Sequence, residues 1–260
     1  MPRLKIGVVV ENFRLGVKAG LSKAAELGFK GVQVSVARGD LTPENLTETG
    51  RRDLLRAVTS RGLQLVALGG DLGLGFANPN ELDRICDRTR RILDLALALR
   101  VPLVVTDIGP IPPKADSSER LAMREALTGL GRYAENYERF LATETRHEDC
   151  GLLKGFLDSL PTQGIKVNYD PGNLVMNGFD SVGGVLQLAA YIVHTHAKDA
   201  LRTGEGVGRE VSLGKGAVPF PEYLAALAEI GYDGFHTIER ENAVNPVAEL
   251  AQAKEFLERF

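Results

Sequence analysis

Acidic residues and histidine recur in this chain just after short apolar runs, a spacing that can build one charged site from distant segments. Glu144 follows Phe140–Thr143, Asp170 follows Ile165–Tyr169, His194 and His196 end Tyr191–His196, and Glu239 follows Phe235–Ile238. If these runs are strands, alternate residues share a face. Glu144 then shares phase with Ala142 and Phe140, Asp170 with Asn168, His196 with His194, and Glu239 with Thr237 and Phe235. Four consecutive strands would deliver Glu, Asp, His and Glu to one rim. Converging carboxylates repel unless a proton or a cation neutralises them. Three carboxylates and one imidazole make a mostly oxygen site, which suits Mn²⁺, Mg²⁺ or Co²⁺ better than a structural zinc, with Zn²⁺ as the alternative. The competing arrangement is a salt-bridge network with Lys166, Lys198, Arg202 or Arg240.

The earlier runs also end in polar residues. Glu11 and Asn12 follow Leu4–Val10, Gln33 and Ser35 lie in Gly31–Val36, and Asp107 follows Pro102–Thr106. His194, one pleat below His196, is expected to support the site from inside. His236 has the opposite phase to Glu239 and is expected to face the helices. His147 lies in the loop after Glu144, where it either touches a substrate or is an ordinary surface residue.

With Leu63–Leu68 these runs number eight in 260 residues, and amphipathic stretches separate them. A β-strand, helix, β-strand unit takes about 30 residues or more, so the alternation implies a parallel sheet. Eight such units without a linker fit a closed single-domain (β/α)8 TIM barrel, whose active site lies at the C-terminal strand ends. An open doubly wound sheet is the competitor. Its glycine fingerprint after the first strand is missing, since Val10-Glu11-Asn12-Phe13 stands there. Asn78-Pro79-Asn80-Glu81 predicts a helix start with proline at the first helical position, and Thr42-Pro43 and Asn245-Pro246 predict two more. Gly28, Gly62 and Gly231 stand where left-handed helix ends favour glycine. Cys86 is expected to face the core. Gly204–Gly216 reads as a long loop after the seventh strand, either functional or disordered.

Composition removes several function classes. At 44% hydrophobic and 25% charged residues the chain is ordinary globular sequence, which argues against disorder. The net charge of -3 offers no basic footprint for nucleic acid or an anionic membrane. The longest apolar stretch, Leu93–Val105, is broken by Asp94 and Arg100 and is no membrane span. The apolar run Ile6–Val10 is too short for a secretory signal. Two cysteines, Cys86 and Cys150, form neither a disulfide framework nor a cysteine-rich zinc site, so a cytoplasmic protein with reduced thiols is expected.

Five motifs carry a family resemblance: LATET with Glu144, VNYDPGNL with Asp170 and Asn173, HTHAKDALR with His196 and Arg202, SLGKGAVPF, and GYDGFHTIERE with Glu239. Together with AAELGFKGVQV near the second strand, they resemble the xylose isomerase-like TIM-barrel superfamily, within it the sugar phosphate isomerase/epimerase group. The resemblance implies one divalent metal ion held by Glu144, Asp170, His196 and Glu239. It implies that Glu144 and Glu239 exchange the substrate's proton through a metal-stabilised enediolate, and that Arg202 contacts substrate oxygens. Asn173, His147, Lys198, Glu11 and Asp107 complete the expected substrate contacts. The substrate would be a small sugar, a sugar phosphate or a polyol, and a homodimer is the assembly the family suggests. Two departures bear on the substrate. Asn173 stands where ketose epimerases often carry histidine, and Gln33 where many members carry glutamate. Three alternatives remain at this point: a metal-dependent dehydratase or lyase on an inositol-like polyol, an endonuclease IV-like phosphodiesterase, and a non-catalytic sugar-binding barrel. The endonuclease chemistry uses about five histidines, whereas this chain has four, none before His147.

Overall fold

A computed structural model describes residues 3–204 and 206–260 of the chain. Ten strands follow in order: β1 (Lys5–Val9), β2 (Gly31–Ser35), β3 (Gln64–Gly69), β4 (Leu103–Thr106), β5 (Phe140–Glu144), β6 (Ile165–Tyr169), β7 (Ile192–Ala197), β8 (Asp199–Leu201), β9 (Arg209–Val211) and β10 (Phe235–Ile238). Eight of them close a parallel barrel, β1 through β7 in sequence order with β10 sealing the gap between β7 and β1. The helices are α1 (Val17–Glu26), α2 (Glu48–Thr59), α3 (Leu82–Ala98), α4 (Ser118–Glu135), α5 (Cys150–Asp158), α6 (Pro171–Asn177), α7 (Gly183–Gln187), α8 (Phe220–Glu229) and α9 (Pro246–Leu257). This is the (β/α)8 TIM barrel that the alternation implied. No helix among the described residues is long and apolar enough to cross a membrane.

The barrel strands are buried on both faces, which is why they read as near-continuous apolar runs. Outward residues such as Val8, Val32, Val104, Leu141 and Val167 are fully buried in the large core beneath the helices. A smaller cluster of Val66, Ala67, Leu103, Val105 and Ala142 fills the barrel interior. Ala142 and Glu144 share phase on β5, so the apolar filling gives way to charge at the C-terminal rim.

Three local expectations change. Asn78 does not cap α3. Its Oδ1 accepts the Asn80 N–H at 3.2 Å, an Asx turn that competes with helix initiation, and α3 starts only at Leu82. Thr42-Pro43 likewise opens a turn, while Thr47, accepting the Gly50 N–H, caps α2. Asn245 does cap α9, with Pro246 at its first position. The third change is in Gly204–Gly216, where Arg209–Val211 pairs antiparallel with Asp199–Leu201 as a short hairpin. Glu205, within that stretch, lies outside the described residues. The Asp199 carboxylate anchors the hairpin base by accepting the N–H groups of Ala200, Gly214, Gly216 and Val218. Gly28, Gly62 and Gly231 all take positive φ, 79°, 68° and 74°, past the ends of α1, α2 and α8. Cys86 is partly buried against the core.

His236 packs edge-on to Tyr232 at 5.6 Å, and its Nδ1 has no hydrogen-bond partner among the described residues. Burial lowers its pKa from 6.5 to about 4. The unfolded chain therefore binds the extra proton first. Stability from this group is present above pH 6.5 and is lost as the pH falls toward 4. The loss amounts to about 3 kcal/mol across that window. Urea unfolding of His236→Gln will show a flatter decline between pH 6.5 and 4 than the wild-type chain. Parallel declines would show that the histidine does not titrate with unfolding.

Candidate active site

Each candidate donor is fixed by the element that carries it. Glu144 is the last residue of β5. Asp170 follows β6 and caps α6: its Oδ1 accepts the Asn173 N–H at 2.9 Å, which leaves Oδ2 for another partner. Thr145 locks the Asp170 backbone, accepting its N–H at 2.8 Å and donating to its carbonyl at 3.1 Å. His196 lies on β7, and Glu239 follows β10 with its N–H on the Ala197 carbonyl at 3.3 Å.

The four side chains meet. One ligand atom from each lies within 4.8 Å of all the others. His196 Nδ1 is 2.8 Å from Glu144 Oε1, 3.3 Å from Glu239 Oε2 and 3.7 Å from Asp170 Oδ2. His196 Nε2 lies 3.2 Å from Gln33 Oε1. With Nε2–H donating to Gln33, Nδ1 faces the three carboxylates, which raise the His196 pKa well above its ordinary value, so in the metal-free site Nδ1 carries a proton that a cation would displace. Asp170 and His196 are buried, and Glu144 and Glu239 are nearly so.

Lys198 supplies the counter-charge. Its ammonium is buried, 2.5 Å from Glu239 Oε2, 3.3 Å from Asp170 Oδ2 and 3.3 Å from Glu241 Oε2. Asn173 Oδ1 accepts from it at 3.4 Å. Asp170 Oδ2 and Glu239 Oε2 receive no directed hydrogen bond among the described residues, so the lysine acts on them as a close charge. Burial opposes ionisation of both carboxyls, but Lys198 and His196 outweigh it and hold both below the usual carboxylate range. Glu144 differs: burial and the Glu239 charge push it up to about 7 against the pull of His196 and Lys198. With His196 neutral and Glu144 ionised, the forms in which both would ligate a metal, Lys198 answers one of the three carboxylate charges and leaves two, the charge of a divalent cation. The N/O donor set and its two undirected oxygens fit such an ion. The lysine contacts and the cluster of candidate metal ligands, anticipated as rivals, occur together here.

Glu144, His196 and Glu239 form part of the wall of a cavity of about 350 Å³ at the C-terminal barrel mouth, with Asp170 buried behind them. Glu11 and Asp107 line it, as expected. Glu11 Oε1 accepts the Ser35 N–H at 2.9 Å, and burial raises its pKa despite that bond. Burial alone would raise Asp107 too. The hydrogen bonds from His147 and Gly109 and the charges of His147 and Arg146 outweigh it and hold the carboxyl low. His147, with Nε2 3.0 Å from Asp107 Oδ2, buttresses that wall from behind and does not line the cavity. Asn173 and Lys198 are buried behind the cluster. Arg202 is not brought to the cavity: its guanidinium lies against Gly178 at the end of α6. The structure also brings in Arg146, Arg38, Asp71 and Glu241, which the strand-end reading omits. Arg146 and Glu241 stand two residues beyond Glu144 and Glu239, so extending strand phase by one step finds them. Arg38 and Asp71 sit on irregular loops where no periodicity holds.

Known proteins share this architecture. The chain is 27% identical over 252 residues to the L-ribulose-5-phosphate 3-epimerase of Salmonella heidelberg, covering 91% of this chain and 87% of that one. A xylose isomerase domain protein from Planctomyces limnophilus superposes with a TM-score of 0.86 at 26% identity, over 98% of this chain and 96% of the other. D-psicose 3-epimerase from Clostridium cellulolyticum H10 superposes with a TM-score of 0.78 over 98% and 99% of the two chains. At 16% identity that second superposition speaks for the fold alone. The family model for the xylose isomerase-like TIM barrel matches residues 21–260, nearly the whole barrel and all four clustered donors, and the chain belongs to that family.

Proposed function

We propose that this protein is a divalent-metal-dependent isomerase of small sugars, an epimerase that inverts the carbon next to a ketose carbonyl. The observation that carries the reading is the convergence of Glu144, Asp170, His196 and Glu239, three of which, Glu144, His196 and Glu239, line the rim cavity. The likeness to an L-ribulose-5-phosphate 3-epimerase supports the reaction class.

A divalent cation held by these four residues supplies Lewis-acid stabilisation of the negative charge that develops as the proton leaves. The remaining work falls to the chain. Glu144 and Glu239 reach the same cavity from β5 and from the end of β10. One carboxylate takes the proton from the carbon beside the carbonyl, and the other returns a proton to the opposite face. Gln33 holds the His196 ring in orientation. Lys198 keeps Asp170 and Glu239 ionised. Arg146, 3.6 Å from both Glu144 and Asp107, presents a guanidinium to substrate hydroxyls.

The test is isotope exchange. Protein supplemented with Mn²⁺, Mg²⁺ or Co²⁺ is incubated in D₂O with L-ribulose 5-phosphate and with D-tagatose. NMR will show the C3 epimer together with deuterium at C3. Loss of water to a deoxy product would instead make the site a dehydratase, which begins with the same proton removal. Metal binding without exchange or turnover of any ketose would overturn the epimerase reading in favour of a sugar-binding barrel.

A further inference from the structure

A second cleft of about 460 Å³ lies beside the catalytic cavity, between the segments that follow β2 and β3 and the first turns of α3. Arg38 lines both spaces. Arg38, Arg84 and Arg88 line the cleft against a single acid, Glu44. Arg84 is committed to Glu81, with Nε and Nη2 on the same oxygen at 2.8 and 2.5 Å. Arg88 Nη2 donates to the Ala37 carbonyl at 3.0 Å and stands 3.7 Å from Glu44, while its buried Nε has no partner among the described residues. Arg38 makes no hydrogen bond or ion pair among the described residues. Its Nη2 reaches across to Gly73, where an added Cβ would stand 3.2 Å away.

The catalytic cavity has the opposite character. Glu11, Asp71, Asp107, Glu144, Glu239 and Glu241 line it. Its other lining arginine, Arg146, is already matched by Glu144 and Asp107. An anionic group is repelled from the carboxylate side and attracted to the Arg38 side. A guanidinium offers a planar fork of donors that suits phosphate or carboxylate.

We propose that Arg38, backed by Arg88, forms a binding site for the anionic end group of the substrate, a phosphate or a carboxylate. This inference rests on the epimerase reading for its substrate. It orients the sugar with the carbonyl end at the four-residue cluster and the charged end at the shared wall. It makes Arg38 a specificity-determining residue that favours charged ketoses over neutral ones.

Two measurements separate this inference from the reading beneath it. First, inorganic phosphate is titrated calorimetrically into the metal-free full chain. Binding is expected for wild type, with at least about a tenfold loss in Arg38→Gln, in line with a charge-assisted hydrogen bond. Absent binding, or binding unchanged in Arg38→Gln, overturns the site even if the protein epimerises sugars. Second, kcat/KM of the metal-loaded enzyme is compared for a ketose phosphate, a keto-sugar acid and the neutral ketose. The preferred anion identifies the end group, and the preference over the neutral ketose is expected to fall at least about tenfold in Arg38→Gln. An unchanged preference overturns the proposal. If no ketose turns over, the epimerase reading fails, and the phosphate titration still decides whether the Arg38 site exists.

Discussion

Glu239→Gln and Glu144→Gln will each lower epimerisation by at least about 100-fold, the lower range for a positioned general base. Each replacement keeps the side chain's shape and one coordinating oxygen but removes the group that takes up a proton. Glu239 Oε2 lies 3.3 Å from His196 Nδ1 and 2.5 Å from Lys198, so an amide there keeps the packing while weakening the charge contact. Metal content, read by atomic absorption after gel filtration, will fall less than activity. The two variants will differ in exchange. A substrate proton that one glutamate alone removes will still wash out in the variant lacking its partner. If both variants turn over at the wild-type rate, the two-glutamate mechanism is wrong. If both lose all metal, the lost turnover reports ligation, and the two-glutamate mechanism then stands or falls on the exchange comparison at saturating metal.

The barrel is legible because its strands combine β-branched runs with burial on both faces. Ile165–Tyr169 and Phe235–Ile238 are bounded in the structure as their patterns imply, and the other six barrel strands shift by a residue or so at their ends. What the pattern misplaces are helix starts at Asn-Pro and Thr-Pro pairs. The same side chain that can cap a helix can close an Asx turn, and at Asn78 the turn wins. The β8–β9 hairpin escapes notice because its stability comes from Asp199 gathering four N–H groups, three of them from residues 15 to 19 positions away.

Strand phase is also what makes the cluster legible. Glu144, Asp170, His196 and Glu239 share one rim because period-two alternation survives to the strand ends. Phase stops where the backbone leaves the strand. Arg202, six residues beyond His196, lies past that point, and the hairpin carries it to Gly178. Arg38 shows the converse: it reaches the cavity wall from a loop in which neighbouring residues predict nothing. Lys198 is intermediate, sharing phase with His196 yet ending behind the cluster as its buried counter-charge.

That counter-charge gives Lys198→Met a large and diagnostic effect. Removing one partner of a buried ion pair leaves carboxylates uncompensated and costs about 3–5 kcal/mol. The metal-free variant will therefore unfold at lower urea concentration than the metal-free wild type. A divalent cation and the lysine both answer the charge of Asp170 and Glu239, so the cation is repelled by the lysine and relieved by its removal. Adding Mn²⁺ will raise the melting temperature of Lys198→Met by more than it raises that of the wild type, and will recover part of the lost stability. A loss of stability that Mn²⁺ corrects no better in the variant would mean that the ion does not sense this lysine. The four donors would then not be where it binds. Equal stability of the two metal-free proteins would mean that the carboxylates are neutralised by protons and that Lys198 is incidental to the site. The comparison needs no substrate, so it tests the metal centre independently of the sugar.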